Sequence, residues 1–262
     1  MQEIENILPE WIRRQAYLLS SSQVQVDGKP TRENHFWYLL TAYCPLIFES
    51  YAIVLNPFWV NWKARTLDYS DQINNQQFNG KNNISSGSKI EKDRYDDYER
   101  LNWSKLFEYF GYDFDLRTAY QIYCIISKKQ YKIALDVKKR NNDWPWLLFP
   151  NDGRCEREEL KFIFSKLINL YGDIKANFFY HRHIMDGEIF KNKLSSEFKK
   201  PVVHGLHGNP SSVFPDDKTW CIVSNYDLDF SYIGGTKEFI ESIASNNEFD
   251  IYEIKPIFKE KC

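Results

Sequence analysis

The chain has 262 residues, of which 43% are hydrophobic and 17% aromatic, and its 34 basic and 36 acidic side chains give a formal net charge of -2. This length and apolar content allow a large buried core and exclude a mainly disordered chain. The lack of a basic excess argues against direct nucleic-acid binding, and no apolar run approaches the length of a membrane span, so no membrane partner is expected.

The first predicted part, residues 1–67, holds one helix and a β-hairpin. Apolar residues recur at helical spacing over residues 4–20. Two runs rich in aromatic and aliphatic residues, 35–44 and 48–62, are predicted to be paired and largely buried strands. Pro57 should end the second strand or place it at a sheet edge.

Residues 68–92 break this pattern, because Asn, Gln, Ser, Gly and Lys dominate and the few apolar residues have no period. Such a composition predicts a flexible polar insertion or linker. The remainder, residues 93–262, is predicted to be the main α+β part and to form one compact unit with residues 1–67.

The main part mixes helical and strand patterns in an irregular order. Helices are predicted over 95–111, 115–131 with Asp115 as N-cap, 156–171, 187–200 and 236–245. Strands are predicted over 144–150, 176–184, 219–224 and 249–255, and a loop over 204–218. The helix 156–171 has the clearest apolar spacing, and Gly172 is its expected stop. The irregular alternation predicts a single α+β domain with a mixed or antiparallel sheet and packed helices.

The segment WCIVSNYDLDFSYIGGTKEF, residues 220–239, contains a Gly-Gly-Thr step that invites comparison with a phosphate-binding loop. A phosphate loop needs more glycines and a lysine at the correct spacing, so that successive backbone N–H groups face the anion. Thr236 is better interpreted as the N-cap of the following helix, with the two glycines forming a sharp corner. No cofactor is predicted here.

Histidines and cysteines are the candidate side chains for a catalytic or metal-binding site. His181 and His183 lie two apart on a predicted strand and so share a face, while His204 and His207 fall in a loop without the Glu of a metalloprotease helix. The five cysteines include no C-x-x-C pair, so no metal is predicted. Cys155, beside a helix N-terminus, is a weaker candidate nucleophile.

Two acidic groups stand out as candidate partner-binding residues. The first surrounds the start of helix 156–171 and the second surrounds the strand 219–224. The groups comprise Asp152, Glu156, Glu158 and Glu159, and then Asp216, Asp217, Asp227 and Asp229, with Tyr226 as an aromatic neighbour. Early acids in a helix also favour its macrodipole, which is the structural interpretation of the first group. If the groups converge, they form a negative surface suited to a basic partner.

The stretches WPWLLFPNDGRCEREELKFI and FPDDKTWCIVSNYDLDFSYIGG resemble bacterial cytosolic immunity proteins that are encoded beside polymorphic secreted toxins. The resemblance covers the C-terminal half and rests on aromatic and acidic texture. It implies a non-catalytic inhibitor that binds one cognate toxin domain and blocks its active site, with no cofactor. The scattered cysteines and an acidic N-terminus without a signal-peptide core predict a cytoplasmic location.

Two other classes remain open. One is an enzyme, a hydrolase or transferase that uses His181 and His183 with a nearby carboxylate. The other is an adaptor module with several weak partners. Whether the chain is an enzyme is therefore uncertain at this point, and a non-catalytic protein is favoured.

Overall fold

A computed structural model describes residues 10–13, 44–62, 98–109, 113–114, 116, 147–148, 150, 155–181, 187–199, 209–224 and 230–254. The chain divides into two compact units, Met1–Asn56 with Asn151–Cys262, and Pro57–Pro150. The second unit is thus an insertion into the sequence of the first. The sequence predicted a polar insertion or linker over 68–92 between parts that form one compact unit, and that stretch lies outside the described residues.

The first unit contains most of the described elements. In chain order they are α1 (Glu10–Arg13), β1 (Ser50–Leu55), then, after the inserted unit, α3 (Arg157–Tyr171), β5 (Lys175–His181), β6 (Gly187–Lys193), a 3-10 helix (Leu194–Lys199), β7 (Ser212–Phe214), β8 (Cys221–Ser224), β9 (Phe230–Gly235), α4 (Lys237–Ala244) and β10 (Ile251–Ile254). The inserted unit contains β2 (Phe58–Val60), β3 (Glu99–Leu101), α2 (Trp103–Tyr109) and β4 (Leu147–Leu148).

Seven strands of the first unit form one sheet in the order β10-β1-β9-β8-β7-β5-β6, and every neighbouring pair is antiparallel. This confirms the predicted α+β class with an antiparallel sheet and packed helices. The predicted helix 156–171 is α3, and the predicted strands near 176–184, 219–224 and 249–255 are β5, β8 and β10.

One face of the sheet is covered by α3 and α4. Because side chains alternate between the faces of a strand, this face receives every second residue, and it packs against the apolar stripes of the two helices. The resulting core includes Ala52, Phe178, Ile222, Ile233 and Ile251 from the strands, with Leu160, Ile163, Leu167, Phe239, Ile240 and Ile243 from the helices. Burial of such side chains stabilises the fold by about 1.5–3 kcal/mol each.

The other face of the sheet is buried as well. Residues that precede β1, which we call the N-terminal segment, pack on this face where they are described. The ring of Trp11 stands edge-on to Phe214 with centroids 5.5 Å apart, and Phe48 lies near Tyr51 with centroids 6.1 Å apart. Cys44 is fully buried. Strands β1, β7, β8 and β9 are therefore buried on both faces.

The inserted unit has its own small sheet, in the order β3-β2-β4 with antiparallel pairing. Its aromatic side chains form a compact group, in which Phe58 and Trp103 lie 4.8 Å apart and Phe107 and Phe114 lie 5.1 Å apart, measured between ring centroids. No described helix of either unit is long and apolar enough to cross a membrane.

The predicted hairpin, in which run 35–44 pairs with run 48–62, is wrong. Residues 35–43 lie outside the described residues, but both edges of β1 are taken by β9 and β10, and both edges of β2 by β3 and β4. The run is also divided, because Pro57 separates β1 from β2 as predicted.

Three further predictions were wrong in their secondary structure. Residues 187–193 form a strand, not the start of a helix, because the segment alternates in burial and pairs along its whole length with β5. Residues 212–214, predicted as loop, form β7, because three buried residues fill the gap between β5 and β8. The helix predicted over 95–111 is described for residues 98–109, of which 99–101 form β3 and 103–109 are helical. The helix predicted over 115–131 lies, apart from residue 116, outside the described residues.

Candidate functional site

Buried polar side chains gather at one end of the seven-stranded sheet. At this end β1, β5 and β8 terminate, β7, β9 and β10 begin, and α3 starts. The buried polar residues located here are Asn56, Glu159, Ser211, Ser212, Ser224, Ser231 and Asp250. Of the buried polar side chains in the described ranges, only Asn177 lies toward the opposite end. We call the first end, together with Cys155 and Asn209, the polar end.

Hydrogen bonds connect the start of α3 to the strands at the polar end. The backbone N–H of Cys155 donates to Ser224 Oγ at 3.3 Å, and Ser224 Oγ lies 2.6 Å from Ser231 Oγ. Asn209 Nδ2 donates to the carbonyl oxygen of Cys155 at 2.9 Å, and Ser224 N donates to the carbonyl oxygen of Ser211 at 2.7 Å. This network joins Cys155, just before α3, to the end of β8 and to residues at the starts of β7 and β9.

A second group of contacts at the polar end surrounds Asp250, whose residue is only 2% exposed. Its carbonyl oxygen accepts from Leu55 N at 2.9 Å, and its Oδ1 accepts from the hydroxyl of Tyr252, also at 2.9 Å. Burial, and after it the negative charge of Asp250, raises the pKa of the Tyr252 phenol. The phenol therefore stays protonated and serves as a hydrogen-bond donor to the carboxylate.

The first predicted acidic group lies at the polar end, and its described members differ in exposure. Glu156 occupies the N-cap position of α3 with an extended backbone, and it is half-buried. Glu158 is exposed and accepts from Lys161 at 2.6 Å. Glu159 is fully buried, so it belongs to the core of the polar end and is not available at the surface in this structure. Glu158 and Glu159 lie in the first turn, where the helix dipole favours acids.

Asp216 and Asp217 of the second group lie at the opposite end of the sheet, in the turn between β7 and β8. Asp216 Oδ1 accepts from Asn177 Nδ2 at 2.8 Å, and its Oδ2 pairs with Lys191. The hydrogen bond from Lys191, followed by that from Asn177, lowers the pKa of the Asp216 carboxyl. Asp217 Oδ1 accepts from the backbone N–H and the hydroxyl of Thr219, at 3.1 and 2.9 Å. Both side chains thus have structural contacts in this turn.

The expected convergence of the two acidic groups therefore fails for Asp216 and Asp217. Glu156 adjoins the end of β8, whereas Asp216 precedes its start. Even the four residues of β8 span roughly 10 Å at 3.3 Å per residue, and the strand lies between the two positions. The sequence could not reveal this separation, because it depends on the direction in which β8 runs relative to α3.

The remaining members, Asp152, Tyr226, Asp227 and Asp229, lie outside the described residues. The residues on either side of 225–229 are described, and they lie in β8 and β9. Residues 225–229 connect Ser224 to Phe230, which are the end of β8 and the start of β9, and Ser224 is paired with Ser231. The described residues on either side of that segment therefore both lie at the polar end.

Of the four candidate histidines, only His181 lies among the described residues. His181 is the last residue of β5, and it pairs with Gly187 at the start of β6, so its backbone lies at the polar end. His183, His204 and His207 lie outside the described residues. Within the ranges that the structure covers, no group of three or more His, Cys, Asp or Glu side chains is arranged to hold a metal ion.

The Gly-Gly-Thr step is a strand-to-helix corner, and Thr236 is the N-cap of α4 as predicted. Its Oγ1 accepts from Phe239 N at 3.3 Å and lies 2.9 Å from the hydroxyl of Tyr171. The glycines answer a packing need: a Cβ at Gly234 would overlap the ring of Phe48, and one at Gly235 would lie 2.7 Å from Phe239 Cδ1. These glycines admit neighbouring aromatic rings.

Sequence reasoning missed the Ser224–Ser231 pair and the buried Asp250. Serines inside apolar strands were available as a signal, since Ser224 and Ser231 each stand beside apolar residues in β8 and β9. Buried hydroxyls of this kind need partners, which predicts that they meet each other or a backbone group.

Comparison with known proteins gives no relative: no family model, no curated protein and no solved structure matches this chain.

Proposed function

We propose that the chain is a non-catalytic immunity protein of the bacterial cytoplasm, which binds and neutralises a cognate secreted toxin domain. The observation that carries the proposal is the pair of hydrogen bonds that joins Cys155 to Ser224 and Ser224 to Ser231, at 3.3 and 2.6 Å. Through these bonds Cys155, which lies within the acidic segment 152–159, meets Ser224, which directly precedes the acidic segment 225–229.

The chemistry of the two segments suits a basic partner. Asp152, Glu156, Asp227 and Asp229 contribute negative charge, and Tyr226 contributes an amphipathic ring of the kind that is enriched at interfaces. Complementary charge speeds the encounter of two proteins, while a desolvated aromatic centre slows dissociation. Hydrogen bonds join the described residues that neighbour these segments in sequence, at the start of α3, the end of β8 and the start of β9.

The turn that carries Asp216 and Asp217 is left out of the proposed interface. It lies at the opposite end of the sheet, and the Asp216 carboxylate is already paired with Lys191. The proposal is therefore more specific than a general attraction between acidic surface and a basic toxin. It requires that the toxin binds at the polar end and not at the opposite end of the sheet.

The test is titration calorimetry of Asp227→Lys/Asp229→Lys against the toxin domain encoded immediately upstream of this gene, at two ionic strengths. We expect the affinity to fall about tenfold or more at low salt and by less at high salt, because exposed charges are screened. The matched control is Glu238→Lys/Glu241→Lys, which makes the same change in net charge on exposed positions of α4. It should bind within about twofold of the parent protein if the contact is local.

Unchanged affinity of a folded Asp227→Lys/Asp229→Lys protein at both ionic strengths would remove the 225–229 segment from the interface. An equal loss in the Glu238→Lys/Glu241→Lys control would reduce the effect to net charge. If no toxin partner exists, the proposal fails as a whole.

An enzyme is the second candidate, because the backbone of His181 ends β5 at the polar end, where the carboxylate-bearing Glu159 and Asp250 are buried. A hydrolase or transferase built on His181 and His183 should lose its rate by about two to four orders of magnitude in His181→Ala, since general acid–base groups contribute that much. The immunity protein should keep its toxin affinity in His181→Ala and His183→Ala.

A further inference from the structure

Two cysteine thiols meet on the face of the sheet that the N-terminal segment covers. The Sγ atoms of Cys44 and Cys221 are 4.0 Å apart although the residues are 177 positions apart in sequence, and both residues are fully buried. Cys221 begins β8, whereas Cys44 belongs to the segment that precedes β1. The contact therefore links the N-terminal segment to the middle of the sheet.

The segment 44–49 makes contacts on both sides of this pair, and at its far end Glu49 Oε2 accepts from Lys237 N at 3.0 Å. The hydroxyl of Tyr51 donates to the carbonyl oxygen of Pro45 at 3.3 Å and accepts from Phe48 N at 2.9 Å. The ring of Phe48 fills the space that the missing side chain of Gly234 leaves open. Beyond these contacts, Ile47 is 54% exposed, so the outer side of the segment is open to solvent.

We propose that Cys44 and Cys221 are an oxidisable dithiol, and that a peroxide closes them to a disulfide that locks the N-terminal segment onto the sheet. The proposal concerns a modification site and does not depend on the proposed function. Its structural basis is the contact between two thiols that lie far apart in sequence, one on the segment 44–49 and the other at the start of β8.

The buried state explains why the pair stays reduced while the segment is docked. Burial, reinforced by the neighbouring Cys221 thiol, raises the pKa of the Cys44 thiol. Since the thiolate and not the thiol is the nucleophile, a buried pair of this kind reacts slowly. Reaction requires a local opening of residues 44–49, which exposes Cys44 to water and restores its ordinary acidity. Surface segments can open locally without global unfolding, and Ile47 places this segment at the surface.

The chemistry balances with one peroxide. The Cys44 thiolate attacks one oxygen of hydrogen peroxide, the O–O bond breaks, and the departing hydroxide takes a proton to leave as water, which gives a sulfenic acid on Cys44. When the segment docks again, the Cys221 sulfur attacks the sulfenic sulfur, the S–O bond breaks, and a second water leaves. The two thiols are oxidised by two electrons in total and the peroxide is reduced by two.

The test uses the full chain in a Cys124→Ser/Cys262→Ser background, which removes the thiols that lie outside the described residues. The folded protein is treated with hydrogen peroxide, unfolded without reductant in the presence of a thiol-blocking reagent, digested and mapped by mass spectrometry. We expect one cross-linked peptide that joins Cys44 to Cys221, with a mass about 2 Da below the sum of the two thiol peptides. Cys155, which is also buried, should be recovered in its blocked form.

Two further measurements separate a lock from an accidental cross-link. Phe48→Ala should accelerate disulfide formation severalfold, because it weakens the docking of residues 44–49. The oxidised protein should have a higher urea midpoint than the same protein in the reduced form, because a cross-link over a long loop restricts the unfolded chain, and the Cys44→Ser variant should show no such shift on treatment with peroxide.

The proposal is overturned if Cys44 and Cys221 are both recovered as blocked thiols after a peroxide treatment that has oxidised other residues. It is also overturned if Cys155 enters the disulfide instead of either cysteine. A Cys44–Cys221 disulfide that lowers the urea midpoint would contradict the locking role, since the bond would then strain the docked segment.

Discussion

Gly234 of β9 lies directly against the ring of Phe48, so closely that a Cβ on Gly234 would overlap three carbon atoms of that ring. Phe48 precedes β1 in sequence by two positions, and β1 is the neighbour of β9 in the sheet. The contact therefore couples the entry into β1 to the strand that β1 pairs with.

Gly234→Ala should destabilise the protein by about 1–3 kcal/mol, because the added methyl group overpacks a filled site. Urea unfolding followed by circular dichroism measures the change in the free energy of unfolding. The double variant Gly234→Ala/Phe48→Leu should lose less stability than the sum of the losses in the two single variants. Such non-additivity is expected for residues in contact. Additive losses in this cycle would show that the ring of Phe48 is not the obstacle.

Ser224→Ala should lower the free energy of unfolding by about 1–3 kcal/mol, because it leaves the backbone N–H of Cys155 and the hydroxyl of Ser231 without their partner in a buried site. Ser165→Ala is the matched control. Ser165 is exposed on α3 and donates only to a carbonyl oxygen of its own helix, so its loss should cost less than about 0.5 kcal/mol. Equal effects of the two changes would contradict a buried network at the polar end.

Thr236→Ala should cost about 0.5–2 kcal/mol, the usual range for the loss of an N-cap hydroxyl. Thr236→Ser keeps the oxygen that accepts from Phe239 N and should retain most of the stability. The Thr236 hydroxyl also lies 2.9 Å from the Tyr171 hydroxyl. Tyr171→Phe removes this second contact and leaves the cap in place, so it measures the contribution of that contact alone. If Thr236→Ser is as unstable as Thr236→Ala, the methyl group and not the cap is responsible.

Acidification should destabilise the protein partly through Asp216. The pKa of this carboxyl is lowered in the folded state from an ordinary value of 3.8. A group of this kind contributes stability above its unfolded pKa, and that contribution is lost as the pH falls through the folded pKa. Urea midpoints measured from about pH 5 to about pH 2 should therefore fall, and Asp216→Asn should reduce the slope below about pH 4.

Part of that slope should remain in Asp216→Asn, because the pKa of Asp173 is also lowered, mainly by hydrogen bonds from Ser195 and then by Lys193. The double variant Asp173→Asn/Asp216→Asn should have a still flatter profile. A slope unchanged in both variants would mean that other carboxylates account for the acid sensitivity. Because both groups are largely solvent-screened, we expect small shifts in midpoint.

The elements with strong local patterns were predictable. Helix α3 follows from apolar residues at helical spacing and ends at Gly172, whose φ of 78° favours glycine. Helix α4 follows from its N-cap at Thr236. In both cases the pattern lies within a single stretch of sequence, because an amphipathic helix makes its hydrogen bonds locally and needs only one apolar stripe. The α+β class followed from the irregular mixture of these helices with strand-like runs.

Strand partners were not predictable, because they depend on hydrogen bonds between segments that are distant in sequence. β1 lies between β9 and β10, which follow it by about 180 and 200 positions, and so the expected local hairpin gave way to a non-local pairing. The same cause explains the errors at β6 and β7. Their sequences taken alone favour a helix and a loop, but β6 pairs with β5, and β7 pairs with β5 and β8.

The candidate site shows the same limit. The sequence determined which acidic residues exist and that the first group begins a helix, since both are local properties. Only the tertiary structure decided that Glu159 is buried, that Cys155 meets Ser224 and Ser231, and that Asp216 and Asp217 lie at the other end of the sheet. The direction of each strand and the packing of α3 across them determine these positions, and neither is encoded in the spacing of residues along the chain.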